Sequence, residues 1–360
     1  MPDTKQKITV ILPNHLGDVV MATPALRSLR AGFPDAEIRG VVRRGLGGIL
    51  GGTPWLDQLI EHDLHSESGA WGKLRHRLKL GRSLRDTTLC IVLPNSFSSA
   101  LLAAMTGARR RLGYRRGARG WLLTDRLEPP RENGRVVPIA MERYYLDLVV
   151  RLGCPDAGTR VELHREPEAD KRVDELFGAL GVRADRPLVC IAPGAGFGPS
   201  KLWPLEYYAE AARALLDEEN QVALVHAPGE EKLADEILRR AGPGVLSLGG
   251  ARLTLPLLKS VIARASLLLC NDAGARHVSA AFAVPTLVMM GPTSIRYTNL
   301  NLSRTRVLRE PVECAPCQRK VCPIDHRCMT RLRPERVVTE AREALLDPDW
   351  RGDVGLELRQ

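Results

Sequence analysis

At 360 residues the chain has room for two α/β domains with full cores, and its net charge of +10 suits an anionic partner or reflects a generally arginine-rich composition. Aromatic residues make up only 4%, too few for the stacking platforms of single-stranded nucleic-acid binders, and no helix-turn-helix or RNA-binding signature is present. No apolar run reaches the length of a membrane span, and the N-terminus MPDTKQKITVILPN has no cleavage site after an apolar core, so a cytoplasmic protein is expected.

In chain order, residues 7–12 form an apolar run that predicts a first strand. Residues 13–17 are its exit loop, and Asp18 opens a helix toward residue 33, with Pro24 predicting a kink or two pieces. Residues 36–42 predict a second strand, 43–52 a basic, Gly-rich loop or short helix, and 59–60 part of a third strand. Residues 71–84 carry a basic amphipathic pattern, with Trp71, Leu74, Leu78 and Leu84 on one side and Lys and Arg on the other. That pattern fits a solvated helix or one facing an anionic membrane surface. Residues 87–93 read as a buried strand, 94–96 as its exit turn and 97–105 as an apolar helix. Six arginines crowd between Arg109 and Arg119, and Arg126 follows just beyond. Residues 139–152 are amphipathic, and the Pro- and acid-rich stretch 153–187, with one helix over 169–180, predicts an inter-domain linker.

A second β-loop-α alternation starts at 188–192, followed by the loop PGAGFGPSK. Helices are expected at 205–216, 230–240, 255–263 and 334–346, and strands at 222–226 and 245–248. Residues 267–293, LLLCNDAGARHVSAAFAVPTLVMMGPT, read as strand, polar turn, helix, strand and turn. Polar turns at the carboxyl ends of parallel strands are where open α/β sheets bind ligands, and a helix N-terminus there favours an anion. The predicted fold class is α/β, with two Rossmann-like domains whose parallel sheets face each other across a cleft, the GT-B architecture. Expected boundaries are 1–165 for the first domain, 166–186 for the linker, 187–332 for the second domain and 333–360 for a terminal helix and tail.

Four groups of residues carry candidate chemistry. Gly194, Gly196 and Gly198 make a Gly-rich loop that lacks the third glycine of the dinucleotide fingerprint, and Lys201 lacks the following Ser or Thr of a P-loop. The loop is either a plain strand-to-helix connection or a backbone approach to a diphosphate, with Lys201 adding a point charge. In the 271–277 turn, the backbone N–H groups of Ala273, Gly274 and Ala275 suit phosphate, and His277 fits a structural role as well as a ligand role. Glu230 and Glu231, after the strand at 222–226, read as dipole-complementing acids or, by resemblance to enzymes of GT-B architecture, as a ribose-binding carboxylate, with Glu231 preferred. Cys314, Cys317, Cys322 and Cys328, with His326 among them, have metal-ligand spacing and read as a structural zinc site or a metal-free thiol cluster. Two decoys stand aside from these: the Asp-x-Asp of Asp347 and Asp349 lies after the last helix, and His62 with His65 has no third ligand nearby.

Three stretches together are similar to one family. ILPNHLGDVVMATPALRSLR (11–30), APGAGFGPSKLWPLEYYAEAA (192–212) and NDAG-x-x-H with the following VPT and GPT resemble glycosyltransferase family 9, the heptosyltransferases of lipopolysaccharide core assembly. The resemblance covers both halves in order and implies an inverting, metal-independent transfer of heptose from ADP-heptose to the lipopolysaccharide inner core. It implies no catalytic cofactor, no nucleic-acid partner and work at the anionic inner-membrane surface, as a peripheral protein on the cytoplasmic side. Asp18 matches the aspartate of the family's GD motif, the general base, and Lys201 the lysine on the donor's phosphate side. Asp272, Ala273, Gly274 and His277 then face the donor. The family usually has Thr where this chain has Ala273, so one side-chain hydroxyl to phosphate is missing. Arg43, Arg44, Arg115, Arg116 and Arg119 are expected to bind the acceptor's carboxylates and phosphates. The rival expectations are a sugar-nucleotide epimerase of the same fold and a basic nucleic-acid-binding protein with a zinc module.

Overall fold

The structure is a computed structural model and describes residues 5–63, 69–216, 220–249 and 253–352. The chain divides into two compact units, one of Met1–Glu162 with Arg296–Leu300, the other of Leu163–Ile295 with Asn301–Gln360.

The first unit is built on a six-stranded sheet of β1 (Lys7–Ile11), β2 (Glu37–Arg43), β3 (Gln58–His62), β4 (Leu89–Val92), β5 (Arg110–Tyr114) and β6 (Asp125–Leu127), in the order β3-β2-β1-β4-β5-β6. Every pairing is parallel. Central strands are apolar throughout because helices cover both faces. The helices are α1 (Leu16–Met21), α2 (Thr23–Gly32), α3 (Gly69–Ser83), α4 (Phe97–Met105) and α5 (Met141–Val150). The expected break near Pro24 is the junction of α1 and α2 at Ala22, with Pro24 in the first turn of α2, where its missing N–H costs nothing. Strand β5 was read in the sequence as a basic patch alone. Its Leu112 and Tyr114 are buried while Arg110 is exposed, so the charge hid a strand that is apolar at its inner end. A two-stranded antiparallel ribbon, β7 (Arg131–Glu132) with β8 (Arg135–Val136), completes the unit's strands among the described residues.

The second unit repeats the design with β9 (Leu188–Ala192), β10 (Gln221–Leu224), β11 (Leu246–Ser247), β12 (Leu267–Asn271), β13 (Thr286–Met289) and β14 (Thr305–Leu308), in the order β11-β10-β9-β12-β13-β14. Its helices are α6 (Pro167–Leu180), α7 (Leu205–Leu216), α8 (Glu231–Ala241), α9 (Leu255–Ala263), α10 (Gly274–Ala281), the short α11 (Arg327–Thr330) and α12 (Pro334–Leu346). The stretch read as a linker holds α6, whose Ala169 and Val173 are buried in this unit's core beside Leu188 and Val261. Ion pairs Arg264–Asp170 and Lys259–Glu166 fasten it to α9. Helix α12 buries Val337 and Ala341 with Tyr208 and Trp203 on the sheet's other face.

In both units strand order reverses between the first strand and the fourth, β1/β4 and β9/β12. Such switch points open a crevice at the strands' carboxyl ends, where ligands of doubly wound sheets bind. The segments that follow those four strands carry Asp18, in the first turn of α1, and Asn95, Lys201 and Asp272. No helix among the described residues is long and apolar enough to cross a membrane.

Candidate active site

In the C-terminal unit, β9 ends at Ala192 and the chain runs through Gly194, Gly196 and Gly198 into a single 3-10 turn, Pro199–Lys201. This loop is held from two directions. From β12, the buried Asn271 accepts from the Trp203 N–H at 3.1 Å and donates to the Pro193 carbonyl at 2.5 Å, while Trp203 donates its ring N–H to the Leu332 carbonyl. From the Cys-rich segment, Ser200 donates its N–H to the Lys320 carbonyl and its hydroxyl to the Arg319 carbonyl, and His326 Nε2 donates to the Ser200 carbonyl at 2.7 Å. Gly198 is needed for two reasons: its φ is +156°, and a Cβ would lie 2.6 Å from the Lys320 carbonyl oxygen.

So fixed, Lys201 points at the turn after β12. Its ammonium donates to the Asp272 carbonyl at 2.7 Å and to Asp272 Oδ2 at 2.6 Å. Thr293 donates to the same Oδ2 at 2.8 Å, and Arg276, one helical turn on, donates to Oδ1 at 2.8 Å. Burial alone would raise the Asp272 carboxyl, but Arg276, Lys201 and Thr293 together hold it well below the usual carboxylate range. Burial pushes His277 down to about 3, with Arg276 and Lys201 adding to the effect, so its imidazole is neutral near pH 7. One carboxylate against two cations leaves a positive charge in excess at the N-terminus of α10. There Ala273 stands as N-cap with no side-chain cap bond, and the orphan N–H groups that follow point out of the helix. A cation, an excess of positive field and unpaired N–H groups make an anion site suited to a phosphate. Asp272 itself, expected to face the donor, is the anchor of this cluster.

Of the two candidate glutamates, Glu230 lies against the Gly-rich loop. A Cβ on Gly194 would sit 2.1 Å from its Oε1, and its Oε2 accepts from the Ala227 N–H at 2.9 Å. Glu231 instead accepts from the Gly229 N–H at 2.9 Å, which lowers its carboxyl, and it closes its own turn at the start of α8. Position thus favours Glu230 over the preferred Glu231 only in its closeness to Gly194. Gly196 has open space where a Cβ would be, so its backbone is approachable.

In the N-terminal unit, Asp18 is the third residue of α1, not its cap, because His15 holds the N-cap position and makes no side-chain cap bond. Asp18 is half-buried, and the buried Tyr145 of α5 donates its hydroxyl to Asp18 Oδ1 at 3.4 Å. Burial holds that phenol protonated, with the Asp18 charge adding to it.

The family model for glycosyltransferase family 9 (heptosyltransferase) matches residues 77–327, well over half of the chain. The chain belongs to glycosyltransferase family 9. Lipopolysaccharide heptosyltransferase 2 of Escherichia coli is 29% identical over 95% of this chain and 99% of its own length. Lipooligosaccharide heptosyltransferase 2 of Haemophilus influenzae is 30% identical over 84% of this chain and 88% of its own. The solved ADP-heptose lps heptosyltransferase II of Escherichia coli superposes with a TM-score of 0.76 at 28% identity, covering 95% of this chain and 99% of that one. The chain is thus a glycosyltransferase of two Rossmann-like domains.

The arginines expected to bind the family's anionic acceptor divide into three groups. Arg43 and Arg44 are exposed where β2 ends. Arg115 and Arg116 are exposed after β5, Arg115 paired with Glu128 across water-accessible surface. Arg119 is a correction. It is 1% exposed, and its guanidinium donates to the Tyr114 and Pro94 carbonyls and to Asn95 Oδ1. It braces the β4 and β5 exits, because buried carbonyls with no ladder partner are satisfied by a five-donor fork.

The four cysteines Cys314, Cys317, Cys322 and Cys328 line one cavity of ≈ 280 Å³ together with His326. Their thiols are free, and burial pushes Cys328 up to about 11. Among the described residues no group of three or more His, Cys, Asp or Glu is arranged to hold a metal ion. Cys328 and Met329 instead pack against Gly291, where a Cβ would lie under 3 Å from both sulfurs. The decoys resolve simply: Asp347 Oδ1 accepts from the Asp349 N–H in a local turn, and His65 lies outside the described residues. Sequence reasoning missed Asn271, Arg276 and Thr293 as site-builders. Thr293 had a signal, since GPT follows the last strand of the motif, but its partner Asp272 is found only in three dimensions.

Proposed function

We propose that this glycosyltransferase moves heptose from ADP-heptose to a sugar hydroxyl of the lipopolysaccharide inner core, working as a peripheral protein on the cytoplasmic side of an anionic inner membrane. The Lys201–Asp272–Thr293–Arg276 cluster, at the strand ends where a diphosphate suits the field, is the observation that carries the reading. Its relatives are named for transfer to lipopolysaccharide or lipooligosaccharide, and one solved relative is named for ADP-heptose.

The reaction forms a bond from the acceptor oxygen to the anomeric carbon and breaks the bond from that carbon to ADP. Charge grows on the departing diphosphate as the sugar becomes cationic. Lys201, already aimed by two bonds to Asp272, turns its remaining N–H to that charge, and the α10 N-terminus adds its N–H groups. Ala273 contributes backbone only. Glu230 receives the ribose hydroxyls beside Gly194 and Gly196. Asp18 takes the acceptor hydroxyl's proton, and Tyr145 steadies its carboxylate without competing for the proton. Attack opposite the leaving group inverts the anomeric centre. Fixed cations do the work that a divalent ion does in metal-dependent transferases, so the reading calls on no metal.

Released ADP, measured with ADP-heptose and core acceptors truncated before each heptose, tests the reading. Acceptor-dependent ADP release with an inverted linkage is expected. ADP-heptose consumed without acceptor, or converted to an isomeric nucleotide sugar, would overturn it.

A further inference from the structure

We propose that the N-terminal unit docks on an anionic phospholipid bilayer through the outward face of α3 and the neighbouring Phe97–Trp121 pair. This rests on the reading above only in that a membrane-borne acceptor gives the docking a purpose.

The sequence pattern puts Trp71, Leu74, Leu78 and Leu84 of helix α3 together on one side. Trp71 is 84% exposed and Leu78 38%, while Leu80 and Leu84 face inward. At about 100° per residue, Trp71, Arg75, Leu78 and Arg82 fall within a stripe of about 60° on the outward side. The helix carries Lys73, Arg75, Arg77, Lys79 and Arg82 and no acidic residue at all. A solvated basic face accounts for the lysines and arginines but not for an outward tryptophan among them.

The stripe has a neighbour. Helix α3 packs on α4, and a Cβ on Gly81 would sit 2.6 Å from Met105 Cβ, so the C-terminal ends of the two helices meet. Both helices follow parallel strands of one sheet, so they run the same way, and their N-termini meet at the carboxyl edge. That edge holds Trp71 at the start of α3 and Phe97, 48% exposed, at the start of α4. Phe97 meets Trp121 with ring centroids 6.2 Å apart, and Trp121 is 67% exposed on the 3-10 helix Gly117–Leu122 that packs on α4. Scattered exposed apolar side chains need no explanation, but three large exposed aromatics at the carboxyl edge of one sheet, two of them in contact, do.

A bilayer of anionic lipid matches each part. Indole rings sit at the headgroup level, where one side is apolar and the other wet. Lysine and arginine are drawn to the negative leaflet. The edge is also the one from which Asp18 and the exposed Arg43, Arg44, Arg115 and Arg116 arise, so docking there brings the acceptor-binding loops to the lipid surface.

Trp55, Trp203 and Trp350 are buried, which leaves Trp71 and Trp121 as reporters of contact. The full chain is mixed at low salt with vesicles of phosphatidylglycerol and phosphatidylcholine, or of phosphatidylcholine alone, and its emission and co-flotation are followed. Blue-shifted emission, quenching by brominated acyl chains and co-flotation are expected with the anionic vesicles only. The double variant Trp71→Ser/Trp121→Ser is expected to float about tenfold less or weaker, with unchanged ADP release on a deacylated, water-soluble acceptor. No partition of the wild-type chain, equal partition to neutral vesicles, or wild-type partition by the double variant would each overturn the proposal. Anionic-vesicle docking by a chain that releases no ADP would sink the transferase reading and leave the docking surface standing.

Discussion

Lys201 gives two of its three ammonium hydrogens to a single residue, the carbonyl and the Oδ2 of Asp272, across 71 positions of sequence. A lysine stem has four rotatable bonds, so left alone it would sample many positions. The two hydrogen bonds to Asp272 order it before substrate arrives, which lowers the entropy lost on binding an anion. Asp272 can serve as that anchor because Arg276 and Thr293 share its negative charge.

Removing the ammonium should therefore act on the donor. Lys201→Ala is expected to lower kcat/KM for the nucleotide sugar by about ten- to a hundredfold, the worth of one charge-assisted hydrogen bond. Steady-state kinetics with the acceptor saturating would show it. Lys201→Arg should rescue poorly, since a longer, planar fork replaces a compact point charge held in place by two oxygens of Asp272.

Asp272→Asn addresses the anchor itself. Arg276 is buried and would lose its counter-charge, so unfolding free energy should fall by about 3–5 kcal/mol. Urea denaturation at pH 7 gives the number, and a loss under about 1 kcal/mol would mean that the cluster is looser than its distances imply.

The neighbouring histidine sets a pH dependence. His277 stays neutral in the fold down to about 3, whereas an unfolded histidine takes up its proton near 6.5. The unfolded chain then binds more protons than the folded one between those values. Stability must rise with pH across that window and fall as acid is added from pH 7. From pH 7 to pH 5 the wild-type chain should lose about 2 kcal/mol more than His277→Gln does. Parallel stability curves for the two proteins would show that His277 titrates normally.

Two arginines three positions apart separate binding from bracing. Arg116→Ala together with Arg115→Ala should raise the acceptor KM severalfold and leave melting and ADP binding alone. Arg119→Ala should instead strip the Tyr114 carbonyl of its guanidinium donors, leave the Pro94 carbonyl with the Ser99 hydroxyl alone, and cost about 2–4 kcal/mol of stability. The contrast is measured by thermal melts alongside kinetics, and equal melting temperatures for all variants would contradict the division.

Much of this architecture was legible in the sequence for a physical reason. Strands buried on both faces must be apolar along their length, so residues 188–192 and 267–270 declared themselves, and the polar turns after them marked the ligand edge. Arg119 was illegible because its burial is decided by carbonyls that Pro94 contributes from another strand exit. Helix α3 showed an amphipathic pattern, yet periodicity cannot say which side faces in, and Trp71 faces out. The cysteines had metal spacing and do line one cavity, but spacing could not show that the segment around them also holds the Lys201 loop through Ser200 and His326.

That holding role gives a chelator test. With no metal in the reading, prolonged dialysis against a strong chelator should leave turnover and melting unchanged, whereas His326→Ala should raise the donor KM by freeing the Ser200 carbonyl. Activity lost to the chelator and restored by zinc would place a metal among Cys314, Cys317, Cys322 and Cys328.

The most direct measurement is the turnover of Asp18→Asn. The substitution keeps size and the helical third position but removes the base. With ADP-heptose and a truncated core acceptor, kcat is expected to fall about a hundredfold or more, while melting temperature and ADP affinity stay at wild-type values. Near-normal kcat would contradict the assignment of proton removal to Asp18 and turn attention to His15, the N-cap of the same helix.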